Sequence, residues 1–221
     1  MDKYVKVFLG SLFFTCVSGY ALDLDAVFEN QKKAAFPDTC EMQMRTTVTL
    51  AGQPSQTVET TIITAGESKS VTTIKSSMMQ MKMVQNNGCM KMTDLKTGKA
   101  LPAQNMPAQN PADVSKRMGS PEDYNAPVAE GNLWKITPKE PTRPTLYYSQ
   151  KNKRVMRMEM TVNGANTVSE LTYCDNSCPL PETLKKVTIK TSVPGGESTV
   201  VLEVLRAKQR HLLPMKMFDV E

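Results

Sequence analysis

Polar and apolar residues alternate with a period of two over most of this 221-residue chain. Successive side chains on a strand point to opposite faces, so the alternation predicts half-buried β-strands. Five such stretches, rich in Thr and Val, run at 41–50, 55–65, 67–76, 78–85 and 88–94. Six more run at 132–137, 145–150, 153–162, 166–173, 184–193 and 197–207. Turn residues separate them, among them Gly52-Gln53-Pro54, Asn163-Gly164 and Pro194-Gly195-Gly196, and Asn87-Gly88 is a strong two-residue hairpin signal. Many short strands with short connections point to an antiparallel meander. Ten or eleven strands must curl, close or split into two sheets. The tail at 212–218 predicts one further edge segment.

Two regions break the period. Residues 22–35 follow a helical one: Asp23 or Asp25 can cap, and Leu24, Val27, Phe28 and Ala35 recur at three- and four-residue steps before Pro37. The stretch 99–129 holds Pro102, Pro107, Pro111, Pro121 and Pro127 and reads as a loop with one short helix. Asn110 caps that helix, Pro111 suits its first position, and Val114 and Met118 face inward. A loop this long inside one domain suits a lid. The fold class is therefore α+β.

The apolar positions have an unusual composition. Of 16 methionines, 12 fall in Met-x-Met steps: Met42/Met44, Met79/Met81/Met83, Met90/Met92, Met156/Met158/Met160 and Met215/Met217. The residues between them are polar, such as Gln43, Lys82, Lys91, Arg157 and Glu159. On strands each run aims its thioethers at one face. Three readings fit: a packed core, a cavity for acyl chains lined by flexible side chains that demand no hydrogen bonds, or soft thioether ligands for Cu(I).

Residues 1–21 read as a secretion signal. Lys3 and Lys6 precede a short apolar run, and Gly19-Tyr20-Ala21 offers a cleavage site after Ala21. Cleavage leaves 25 basic residues (27 less Lys3 and Lys6) and 21 acidic ones (22 less Asp2), a net charge of +4. The charge is spread singly along the strands, with no basic block of nucleic-acid type. Four cysteines remain, Cys40, Cys89, Cys174 and Cys178. An even count in an exported chain implies two disulfides. Three pairings are open; the short loop favours Cys174–Cys178, which leaves Cys40–Cys89. The cysteines and the single His211 make no zinc spacing, so neither a metal nor another cofactor is expected at these residues. No nucleophile elbow, phosphate loop or close carboxylate pair appears, and the chain is not expected to be an enzyme. Trp134 and Tyr147-Tyr148 read as packing residues.

From about residue 130 the order of signals becomes more specific. The hairpin Leu146-Tyr147-Tyr148-Ser149-Gln150-Lys151-Asn152-Lys153-Arg154-Val155 leads to the Met strand. Then come Pro179-Leu180-Pro181-Glu182-Thr183-Leu184, the strand after Gly195-Gly196, and Leu213-Pro214-Met215-Lys216-Met217-Phe218. This order, with the N-terminal helix and mid-chain insertion, resembles the LolA/LolB-like superfamily of exported lipoprotein and lipid carriers. The resemblance implies a strongly curved antiparallel sheet, an incomplete β-barrel with helices as a lid over an apolar cavity, in one domain over 22–221. It implies a periplasmic monomer that carries lipoprotein or lipid acyl chains, touches membranes transiently, and meets inner- and outer-membrane transport components. The lining would be Met42, Met44, Met79, Met81, Met83, Met90, Met92, Met156, Met158 and Met160, and the lid Leu24, Val27, Phe28, Val114 and Met118. The Arg-Pro-aromatic string of the lipoprotein carriers has no counterpart at 41–85. Cargo and partner therefore stay open, and a Cu(I)-binding protein or an envelope-stress sensor on the same fold are the alternatives.

Overall fold

The computed structural model describes residues 22–66, 68–101 and 118–220. Helix α1 (Leu24–Lys33) is capped by Asp23, whose carboxylate accepts the Asp25 N–H at 3.0 Å. Asp25 in its first turn and Lys32 and Lys33 in its last complement the helix dipole. Thirteen strands follow in two runs. The first is β1 (Thr39–Leu50), β2 (Gln56–Ala65), β3 (Lys69–Lys75), β4 (Gln80–Asn86), β5 (Cys89–Asp94) and β6 (Ala100–Leu101). The second is β7 (Val128–Glu130), β8 (Leu133–Ile136), β9 (Thr145–Ser149), β10 (Arg154–Val162), β11 (Ala165–Tyr173), β12 (Leu184–Val193) and β13 (Gly196–Gln209).

Both runs are antiparallel meanders, and the pairing of β1 with β13 joins them into one 13-stranded sheet with the order β6-β5-β4-β3-β2-β1-β13-β12-β11-β10-β9-β8-β7. That pairing runs from Cys40 against Gln209 to Leu50 against Ser198. The sheet is open, with β6 and β7 at its ends. The hairpin signals act as expected: Asn87-Gly88 (φ 49° and 85°) turns β4 into β5, and Asn163-Gly164 (φ 51° and 78°) turns β10 into β11.

Apolar residues cover both faces. On the inner face, which carries α1, Val27 and Phe28 pack with Met42, Met44, Ile62, Leu146, Val155, Met158, Leu171 and Leu202. On the back face, Val71 and Val84 pack under Phe218 with Ile63, Leu213 and Met217.

Several expectations are corrected. The tail is not an edge strand. Both neighbours of β13 are already paired, so no free edge lies where the chain leaves it. The tail instead crosses the back of β3 and β4 as a 3-10 turn, Met215–Phe218. Met79 does not begin a strand: its carbonyl accepts the Ser76 N–H at 2.8 Å and its own N–H donates to Ser76 Oγ at 3.0 Å, closing a turn before β4. Met79 is accordingly 45% exposed. β6 and β7 arise within the stretch read as loop. The four described cysteines are free thiols. Cys40 on β1 and Cys89 at the start of β5 have β2, β3 and β4 between them, roughly 19 Å of sheet, and their side chains point to opposite faces by register. A disulfide needs Cα atoms within about 7 Å, so Cys40–Cys89 is excluded. The signal segment, Asn110 and Val114 lie outside the described residues.

Phe218 is fully buried and is the largest side chain on the back-face cluster. Phe218→Ala is expected to cost about 3–5 kcal/mol, read as a lower urea midpoint.

Candidate functional site

The register shows what the inner face offers. One cross-strand row runs Val48, Val200, Ile189, Ser169, Met158, Leu146, Ile136 through seven strands, with Ser169 its single polar member. A second row runs Met92, Met83, Thr72, Ile62, Met42, Ala207 through the other half of the sheet. Met44 and Met81 lie on this face two residues from Met42 and Met83. Behind these rows the back face is polar at Gln43, Arg206, Arg157 and Glu170, and apolar at Ile63, Val71 and Val84 under the tail.

α1 is pinned to this face by polar contacts at a β-bulge. On β10 Val155 pairs with Tyr148 and Arg157 with Tyr147, so Met156 is the inserted residue. The Val155 N–H donates to Gln31 Oε1 at 3.2 Å, and its carbonyl accepts the Tyr173 hydroxyl at 2.8 Å. Gln31 Nε2 donates to the Tyr173 oxygen at 3.0 Å, which closes the ring. Asn30 Nδ2 donates to Tyr148 Oη at 3.1 Å. Gln31 is buried between Val27, Phe28 and this bulge, so its amide substitutes for a neighbouring peptide. Beyond the helix, Phe28 meets the Tyr124 ring at 5.6 Å between centroids, and Tyr124 Oη donates to the Met118 carbonyl at 2.7 Å. Val27, Phe28 and Met118 therefore meet in one cluster, with Leu24 against it.

Comparison with solved structures matches this arrangement over nearly its whole length. A LolA superfamily protein from Nitrosomonas europaea superposes with a TM-score of 0.61 at 14% identity, covering 90% of this chain and 98% of that one. The fold is LolA-like. A putative outer membrane lipoprotein-sorting protein domain from Vibrio parahaemolyticus (TM-score 0.54, 8% identity, 89% and 95% covered) and a DUF1329 family protein from Desulfovibrio piger (0.54, 9%, 89% and 95%) have it too. No family model and no curated protein matches at the level of sequence.

The bulge corrects one position read from simple alternation. Met156 drops out of the parity it was given, and its sulfur lies 3.7 Å from the exposed Asn152 amide. Met158 and Met160 stay on the inner face of the LolA-like sheet. Met83 and Met90 are partly buried there, and Met81 and Met92 are buried. Sequence reasoning missed the four side chains that hold α1: Asn30, Gln31, Tyr148 and Tyr173. A glutamine three residues after Phe28 on an apolar helical stripe was the available signal.

Other groups lie off this face. A cleft of about 60 Å³ on the back is lined by Glu41, Gln43, Arg206, Lys208 and Arg210, with Arg210 paired to Glu41. Arg154 is buried and reaches Glu182 at 2.6 Å. The Cys174 thiol lies against that of Cys178, and burial pushes it up to about 11. Among the described residues no three His, Cys, Asp or Glu side chains converge as a metal site.

Burial, eased by the bond with Gln31, raises the Tyr173 hydroxyl from 10 to about 12. A raised pKa on an acid favours the protonated form in the folded state, so this contribution is intact below pH 10 and is lost as the pH rises through 12. Tyr173→Phe is expected to lower stability at neutral pH by about 1–3 kcal/mol and to flatten the loss between pH 10 and 12, both read by urea titration. Air oxidation followed by peptide mapping should join Cys174 to Cys178 and never Cys40 to Cys89.

Proposed function

We propose that this protein is an exported carrier that holds the acyl chains of a lipoprotein or lipid against the inner face of its sheet. The observation that carries this reading is the seven-strand row from Val48 to Ile136, apolar but for Ser169, on a fold shared with a lipoprotein-sorting domain. Each methylene moved from water onto such a face contributes about 0.8 kcal/mol. Thioethers suit the task because their three torsions follow an irregular chain.

In this reading residues 22–221 form one domain, released into the periplasm by cleavage after Ala21. The chain does no chemistry and works as a monomer that meets membranes transiently and passes its cargo toward the outer membrane. Met42, Met44, Met81, Met83, Met90, Met92, Met158 and Met160 belong to the lining. α1 and Met118 act as the cover over one half of it.

Native mass spectrometry before and after organic extraction tests the reading. The purified protein should carry acyl-chain mass that extraction removes and added lipid restores; a protein that neither retains nor accepts lipid would defeat it. Face specificity gives a sharper check. Ile189 lies on the inner face and Thr188 on the back, so Ile189→Glu should cut lipid retention at least tenfold while Thr188→Glu leaves it intact, both with an unchanged β circular dichroism spectrum.

A further inference from the structure

The β4–β5 hairpin carries methionine at four inner-face positions in one small area. Met83 pairs directly with Met92; Met81 lies opposite Asp94 and Met90 opposite Gln85. Directly paired residues hold their Cβ atoms about 4.5–5.5 Å apart, and diagonal ones about 7–8 Å. Met92 therefore has Met83 facing it and Met81 on the diagonal, while Met83 has Met90 on its own diagonal. A thioether sulfur stands two bonds beyond Cβ on a side chain with three torsions. Three sulfurs can meet above the Met83–Met92 pair.

We propose that Met81, Met83, Met90 and Met92 form a site for a soft monovalent cation, Cu(I), bound by at least three thioethers. The immediate surroundings favour that ion over harder ones. Asp94 is the carboxylate nearest in register, and its Oδ1 is engaged by the N–H groups of Lys96 at 2.7 Å and Thr97 at 3.0 Å. Register puts Lys82 and Lys91 on the back face, away from the sulfurs. Neutral, polarizable thioether donors favour Cu(I) over zinc, manganese or calcium. Met42, Met44 and Met158 pack in the core cluster with α1, whereas the four hairpin methionines lie toward the β6 end of the sheet. Met83 and Met90 are partly exposed, which leaves an entry path, while Met81 and Met92 are each 6% exposed and hold the site dry. The two-residue Asn87-Gly88 turn and an unbroken ladder from Met81–Asp94 to Asn86–Cys89 fix the hairpin.

Cysteine thiols also take Cu(I), so the experiment uses the chain from Leu22 onward with C89S, C174S and C178S; Cys40 is 1% exposed. Cu(I) is titrated anaerobically against bicinchoninate, and the copper K-edge spectrum reports the ligands. One Cu(I) per chain with all-sulfur coordination is expected. Met83→Leu with Met92→Leu keeps volume and apolarity and should weaken binding at least tenfold with an unchanged circular dichroism spectrum. Met215→Leu with Met217→Leu, on the back-face tail, should leave it unchanged. A parent protein that takes no copper from the chelator, or a Met83/Met92 variant that binds as tightly as the parent, would overturn the site. Lipid retention is read on the parent protein, without copper and without these leucines, so the metal site and the carrier reading can fail separately.

Discussion

The ladder between β1 and β13 is the interaction on which the rest of the structure depends. Among the described residues it is the one strand pairing that joins the N-terminal and C-terminal meanders. Each meander alone would leave a long central edge unpaired, and exposed edges invite pairing with other chains. Joined, the two produce one sheet whose inner face is continuous from β5 to β8. The partners are far apart in sequence, so the ladder closes a large loop before it is rewarded. The length of both strands, 12 and 14 residues, answers that cost with many backbone hydrogen bonds and with Met42, Met44, Leu202 and Ala207 buried at the junction.

The two faces are stabilised by different means. On the inner face α1 buries an apolar stripe, but its position is set by polar contacts: the bulge at Met156 leaves Val155's peptide groups to Gln31 and Tyr173. On the back, the tail covers the β2–β4 end through Phe218, while the other end is charged. There Lys135 and Arg157 lie 5.9 and 5.2 Å from the Tyr147 ring centroid, and Tyr147 donates to Glu159 at 2.8 Å. The bulge also shows why simple alternation misplaces Met156. One inserted residue reverses parity for everything on one side of it.

The sequence by itself determined eleven of the thirteen strands, their antiparallel order within each meander, the helix at the start, the two Asn-Gly hairpins and the face on which most methionines sit. These follow from local rules: a period of two, turn residues that tolerate positive φ, and caps. Only the tertiary structure decided that β1 pairs β13, that the tail lies across the back, that Cys40 and Cys89 are four strands apart, and that Gln31 is a structural pin. Each of these depends on which distant segments become neighbours, and the energy that chooses neighbours is shared over whole faces and ladders. No single residue carries it, so no local pattern announces it.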